Sequence, residues 1–245
     1  LGAGKTTLMG KLSHWLEGNN LRIALITNDQ GKGLLDTESA RNAATQGTEE
    51  ITGGCFSCRL DELVNAVKKL DDEARPNVIV AEPVGSCTDL IATVMVPLES
   101  VYRLPFTLSP LSVVLDARRA LASLGGKRQA RDFHRDVGYV FRKQVEEAEW
   151  LVVNKIDLMS AEDLQDLQER LAKEYPGKRA FIVSAKTGEG IESWFEALIG
   201  HSTKPVNLMD VDYERYAIGE AMLGWVNSVG ICKVRAENLS WGSWL

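Results

Sequence analysis

Of all the features of this sequence, the stretch GAGKTT at residues 2–7 most restricts which folds the chain can adopt. A glycine-rich turn followed by Lys and Thr lets backbone N–H groups curl around phosphates, while the ammonium serves their charge and the hydroxyl serves Mg²⁺. A helical pattern, LMGKLSHWL, follows at once. Such loops have a further glycine and a buried strand before the turn, and we expect both to precede Leu1, so that the sequence begins inside the motif.

Apolar runs rich in β-branched residues alternate with helical patterns along the rest of the chain. Each run is typical of a strand buried on both faces. Strand and helix alternation predicts an α/β fold with a mostly parallel sheet and helices on both faces. Together with the phosphate loop, this pattern indicates the P-loop NTPase class. The runs are residues 21–27, 77–82, 111–117, 150–155 and 179–185.

The character of the sequence changes after His201, where a proline and polar residues are followed by an aromatic-rich tail. We predict a P-loop domain over residues 1–203, truncated at its amino end. A linker is predicted over 204–216, and the beginning of a truncated C-terminal domain over 217–245.

Composition excludes several classes of partner. The chain has 28 basic and 34 acidic residues, a net charge of −6, so no overall basic field favours nucleic acid or an anionic membrane. No apolar run approaches the roughly 18 residues of a spanning helix, and the start lacks a signal-peptide pattern. We therefore predict a cytoplasmic protein with neither a nucleic-acid nor a membrane partner.

Two loops further along predict that the bound base is guanine. In NKID, residues 154–157, Asp157 can accept two hydrogen bonds from N1–H and the exocyclic amine of guanine, a donor pair that adenine lacks. Asn154 and Lys155 hold this loop and flank the ring. In VSAKTG, the backbone N–H of Ala185 can meet guanine O6. The predicted GTP-binding residues are Gly2, Ala3, Gly4, Lys5, Thr6, Thr7, Asn154, Lys155, Asp157, Ser184, Ala185 and Lys186.

The stretch AEPVGS at residues 81–86 predicts a switch that responds to the γ-phosphate. Glu82, at the end of a strand, can hold Mg²⁺ through water, and the Gly85 N–H can sense the γ-phosphate. With Lys5 and Thr6, these residues form the predicted catalytic set of a Mg-dependent GTPase. No glutamine follows Gly85 to orient water, so we predict slow intrinsic hydrolysis.

These motifs together resemble those of the CobW-type metallochaperone GTPases, relatives of the urease and hydrogenase nickel-insertion GTPases. The resemblance rests on LGAGKTTLM, ITNDQG, GGCFSC, NKID, and EPVG where Ras-like GTPases have DxxG, and it covers most of residues 1–200. It implies a protein that binds Mg·GTP and couples the nucleotide state to delivery of a transition metal or metal cofactor to a client enzyme. Its Mg²⁺ ligands would be Thr6, Glu82 and a first-switch carboxylate, either Asp29 or Asp36.

The cysteine loop departs from the usual CxCC of that family. It reads CFSC, with Ser57 in the place of the second cysteine, between Cys55 and Cys58. Two thiolates at this spacing can hold Zn²⁺, Co²⁺ or Ni²⁺, yet four-coordinate binding needs two more ligands. Three interpretations stay open: a metal-binding loop, a site completed by a second subunit or by the client, and a structural turn. The second interpretation includes a homodimer.

An alternative function is a nucleotide-gated chaperone of a cobalamin-dependent enzyme that carries no metal of its own. The Trp-rich tail beginning at YAIGEAMLGWVN would then recognise the client. Metal affinity that depends on Cys55 and Cys58 separates the two functions.

Overall fold

The computed structural model describes residues 2–29, 47–124, 134–204 and 208–223. Within them, strands and helices alternate along the chain as the sequence predicts. Two short turns of other helix types, Ile91–Met95 and Ile156–Leu158, join longer elements. The strands and α-helices are α1 Lys5–Gly18, β1 Ile23–Asp29, β2 Thr48–Thr52, α2 Leu60–Ala74, β3 Val78–Glu82, α3 Val96–Ser100, β4 Ser112–Asp116, α4 Ala117–Ser123, α5 Arg135–Glu147, β5 Trp150–Asn154, α6 Ala161–Glu174, β6 Arg179–Ile182, α7 Ile191–Gly200 and α8 Tyr213–Ala221.

The described strands form two three-stranded sheets, in the orders β2-β1-β3 and β4-β5-β6. Every pairing is parallel, with Ile23 opposite Val78 in the first sheet and Trp150 opposite Ser112 in the second. The carboxyl ends of parallel strands lie at one edge, where ligands bind in open α/β sheets. Parallel pairing with intervening helices confirms the predicted α/β class.

Helices cover both faces of each sheet. Leu25 of β1 and Val152 of β5 pack into one cluster with α1 and α7. This cluster therefore bridges the two sheets. The next residue of β1, Ile26, packs with α2 on the opposite face. Leu151 of β5 likewise packs with α4 and α6. Because successive strand residues point to opposite faces, this division places a helical layer on each side.

Burial differs between central and outer strands. All five residues of β5 are buried, as are residues 23–28 of β1. In contrast, β3 has no buried residue, and β4 and β6 have one each. Side chains of these strands still pack on both faces: Val78 of β3 packs with Leu25, and Ile79 packs with Ile26 on the opposite face. Burial on both faces, expected for the runs 77–82, 111–117 and 179–185, is therefore found but is less complete than in β1 and β5. Within the described sheets, β3, β4 and β6 are each hydrogen-bonded to a neighbour on one side only, which accounts for their lower burial.

Local signals set several helix ends. Ser160 precedes α6 and its Oγ accepts the Asp163 N–H at 3.1 Å, a side-chain N-cap. The helix α1 ends at Gly18, and glycine is common at the carboxyl ends of helices. Among the described residues, no helix has the length and apolar character needed to cross a bilayer.

Candidate functional site

The amino end of α1 forms the first wall of the candidate site. Gly4 precedes the helix in a left-handed conformation, with φ of 94°, and no side chain caps the first turn. Because the first backbone N–H groups of a helix lack intrahelical partners, this end is suited to bind an anion. A Cβ on Gly4 would lie 2.5 Å from Nδ2 of Asn154, so the turn needs glycine here. Thr6 and Thr7 follow in the first turn.

Asn154, at the carboxyl end of β5, joins two of the predicted binding loops. Its side-chain Nδ2 donates to the Ala3 carbonyl at 2.8 Å, and its Oδ1 accepts the Ala185 N–H at 2.8 Å. The residue is 1% exposed. In this structure the Ala185 N–H, for which the sequence predicts a contact with guanine O6, is directed at Asn154. One buried amide thus fixes the phosphate loop against the loop that follows β6.

Lys155 ties the same strand end to the phosphate loop. Its Nζ donates to the Gly2 carbonyl at 2.6 Å and lies 3.0 Å from Oδ2 of Asp116, at the end of β4. Burial opposes ionisation of Asp116, but hydrogen bonds from Lys155 and the Arg119 backbone outweigh it and lower the pKa of Asp116. Asp116 is not among the site residues predicted from the sequence. Its position at the carboxyl end of a strand, where ligands bind in parallel sheets, could have identified it.

Asp157 is exposed at the rim of the site, where its carboxylate is oriented by Ser184. The Ser184 Oγ donates to Oδ1 of Asp157 at 2.7 Å and accepts the Thr187 N–H at 3.1 Å. Ser184 itself is fully buried. The carboxylate is therefore held by a fixed donor, which leaves Oδ2 and the second lone pair of Oδ1 to meet a ligand. Lys186 is exposed in the same loop.

Glu82 and Lys5 bring the ends of β3 and α1 together. Oε1 of Glu82 lies 3.5 Å from Nζ of Lys5, and both side chains are partly buried. A hydroxyl from Thr6 and a carboxylate from Glu82 are the oxygen ligands that Mg²⁺ prefers, so the donor set fits this ion. The first-switch carboxylate was predicted to be Asp29 or Asp36. Asp36 lies outside the described residues, and so does the side chain of Asp29.

The segment after Glu82 is fixed by α5. Nε2 of Gln144 donates to the Gly85 carbonyl at 3.0 Å and to the Cys87 carbonyl at 2.8 Å. Glu147, which is 2% exposed, accepts the Ile91 N–H at 2.6 Å, and burial raises the pKa of its carboxyl to about 7. The sequence gives no local signal for either contact, because both lie on a helix distant along the chain.

Cys87, within this segment, lies close to Cys55 and Cys58. Cys55 Sγ lies 3.2 Å from Cys58 Sγ and 2.9 Å from the Ser57 hydroxyl. The buried Cys87 thiol also hydrogen-bonds Cys55, and together these donors outweigh burial and lower the pKa of Cys55 to about 4. Within the described residues, no three His, Cys, Asp or Glu side chains are already arranged as a metal site. Cys55 thus has thiolate character suited to a soft ion, but the site is not preformed.

The cysteine loop is also attached to the end of β1. Nδ2 of Asn28 donates to the Gly54 carbonyl at 2.7 Å and to the Ile51 carbonyl at 3.0 Å. Asn28 is buried, and it belongs to the ITNDQG motif. One side chain thus links the end of β1 to Gly54, the residue that precedes Cys55.

Comparison with known proteins gives matches over most of the chain. A family model described as CobW/HypB/UreG, nucleotide-binding domain, matches residues 1–182. The Zinc chaperone CobW of a Sinorhizobium species is 26% identical over 212 residues, which are 77% of this chain and 57% of that protein. The chain therefore spans little more than half the length of this curated relative.

Two solved structures share the fold. HypB from Helicobacter pylori in complex with nickel has a TM-score of 0.55 and 15% sequence identity, over 81% of both chains. The hydrogenase maturation factor HypB from Archaeoglobus fulgidus has a TM-score of 0.52 and 20% identity, over 81% of this chain and 84% of that chain. At these identities the likeness concerns the fold.

Proposed function

The chain belongs to the CobW/HypB/UreG family, and from that premise we propose that it is a cytoplasmic metallochaperone GTPase. In this proposal it binds Mg·GTP, hydrolyses it slowly, and couples the nucleotide state to delivery of a transition metal or metal cofactor to a client enzyme. The proposed GTPase domain covers residues 1–203, with a linker over 204–216 and a further unit from 217. The observation that carries the proposal is the convergence of the predicted loops through Asn154.

Nucleotide binding is supported by how the predicted residues meet. The amino end of α1 offers uncapped N–H groups for phosphates. Asp157, oriented by Ser184, would accept the two guanine donors while the Lys155 side chain flanks the ring. Mg²⁺ held by Thr6, Glu82 and Asp29 or Asp36 would neutralise phosphate charge. The chain's own part is to position the γ-phosphate between Lys5 and the Gly85 N–H.

Metal delivery is supported by the relatives and by the cysteine loop. One relative is a zinc chaperone and one structural neighbour holds nickel. Here Cys55 has thiolate character and Cys58 lies beside it. Two thiols leave a four-coordinate ion incomplete, so we propose that a second subunit or the client supplies further ligands. The cargo is proposed to be Zn²⁺, Co²⁺ or Ni²⁺.

We predict that Co²⁺ titration will produce the absorption bands of thiolate ligation, with an affinity that changes when GTP replaces GDP. Cys55→Ser and Cys58→Ser are each expected to weaken binding by about tenfold or more, because each removes one ligand. Cys232→Ser, which lies outside the cysteine motif, is the matched control. Client binding without any metal affinity would instead favour a metal-free chaperone of a cobalamin-dependent enzyme.

We also predict slow unassisted GTP hydrolysis, because no glutamine follows Gly85 to orient the attacking water. Single-turnover assays with and without metal are expected to give a basal rate well below about 1 s⁻¹, the lower end of typical enzyme turnover. Lys5→Ala is expected to abolish the activity and serves to identify contaminating hydrolases. Fast turnover by the protein alone would contradict this part of the proposal.

A further inference from the structure

The helix α8 packs against α5 through contacts at its start and middle. The Asp212 N–H donates to the Tyr139 hydroxyl at 2.7 Å, and the Arg215 guanidinium lies over the Tyr139 ring at 4.4 Å. Arg215 also pairs with Asp136 at 3.3 Å. A Cβ on Gly219 would lie 2.5 Å from the Asp136 carbonyl oxygen, so the helices approach as closely as their backbones permit. These contacts anchor α8 independently of the nucleotide loops.

Two other side chains of α8 reach the segment that follows Gly85. The Ser86 Oγ donates to Oε1 of Glu220 at 2.8 Å, and the Tyr213 hydroxyl donates to Oδ2 of Asp89. Ser86 is fully buried and Asp89 is 7% exposed. Asp89 also has a left-handed backbone, with φ of 61°, which a non-glycine residue keeps only when its surroundings hold it.

Residues 85–89 are thus held from two sides. Gln144 of α5 binds the carbonyl groups of Gly85 and Cys87, while Glu220 of α8 binds the side chain between them. A backbone segment with these contacts has lost most of its conformational freedom before any ligand arrives. Ordering a loop on binding costs affinity, and a loop ordered in advance avoids that cost.

We propose that Glu220 is a positioning residue, which acts through Ser86 to hold the Gly85 N–H ready for the γ-phosphate. This inference rests on the proposed function, in which Gly85 senses that phosphate. GDP has no γ-phosphate, so positioning the Gly85 N–H raises the affinity for GTP and leaves the affinity for GDP unchanged. By linkage, GTP then also stabilises the docking of α8.

The test is the ratio of GTP to GDP affinity, measured by calorimetry at equal Mg²⁺. Glu220→Ala and Ser86→Ala are each expected to lower the preference for GTP by about fivefold, at the lower end of typical coupling between sites, with GDP affinity unchanged. The double variant is expected to lose no more than either single one, because both remove the same bond. Glu220→Gln keeps an acceptor oxygen and is expected to retain most of the preference.

The matched control is Arg215→Ala, which removes the contacts of one side chain between α8 and α5 and none to residues 85–89. The hydrogen bond from Asp212 to Tyr139 and the close approach at Gly219 are kept, so α8 is expected to stay docked. The GTP-to-GDP ratio of this variant is expected to equal that of the wild type, so a merely structural role of α8 is separated from positioning. Hydrogen exchange gives a second measurement: amides of residues 213–223 are expected to be better protected with a GTP analogue than with GDP.

An unchanged or increased ratio in Glu220→Ala, with wild-type protein that binds both nucleotides, would overturn this inference and leave the proposed function intact. A ratio in Arg215→Ala that falls as far as in Glu220→Ala would also overturn it. Wild-type protein that binds neither nucleotide would overturn the proposed function, and the inference would fall with it.

Discussion

Replacing Asp157 with asparagine is expected to weaken GTP binding by at least about 100-fold and to give XTP the advantage over GTP. Hydrogen bonds to a charged group contribute about 1.5–3 kcal/mol each. Guanine would lose the bond to Oδ2 and meet an N–H donor there, and its bond to Oδ1 would no longer be to a charged group. The substitution is expected to leave the loop in place, because the Asp157→Asn side chain retains the Oδ1 atom that accepts a hydrogen bond from Ser184. Its amide nitrogen then replaces Oδ2, opposing the guanine donors but matching the carbonyl of xanthine.

The measurement for this prediction is calorimetric titration of wild type and Asp157→Asn with GTP, XTP and ATP. Glu189→Ala, in the exposed part of the neighbouring loop and outside the predicted binding residues, is a control expected to keep the order of base preference. Wild-type protein that takes up ATP as well as GTP, or an Asp157→Asn variant with undiminished GTP affinity, would show that Asp157 does not read the base.

Asn154→Ala is expected to have the largest effect on both stability and binding. The substitution leaves the Ala3 carbonyl and the Ala185 N–H without their partner in a buried position. An unpaired buried polar group costs about 1–3 kcal/mol, so a loss of about 2–5 kcal/mol in the free energy of unfolding is expected. GTP and GDP affinity are expected to fall together, because the phosphate loop and the loop after β6 lose their link.

Urea denaturation and nucleotide titration measure the two consequences separately. Ser160→Ala provides the matched control, because it removes the N-cap of α6 and is expected to cost about 1 kcal/mol without changing nucleotide affinity. If Asn154→Ala unfolds at the same urea concentration as wild type and binds nucleotide equally well, the amide does not join the loops as we infer.

The family and the fold class were predictable because both depend on local patterns. A phosphate loop needs glycine backbone and a lysine within a few residues, and buried strands need runs of β-branched side chains. The match to residues 1–182 and the parallel sheets confirm these predictions. The strand β2 was missed because its sequence, TEEIT, is mostly polar and lies at the edge of a sheet. An edge strand needs less apolar surface, so hydrophobic periodicity does not reveal it.

The sequence by itself determined that a phosphate loop, the NKID and VSAKTG motifs and a pair of cysteines occur in one α/β chain. Only the tertiary structure decided which side chains hold these motifs together. Asn154 meets Ala3 across 151 positions, and Ser86 meets Glu220 across 134. A hydrogen bond between residues so far apart has no local pattern, because its geometry exists only after the strands align and the helices pack.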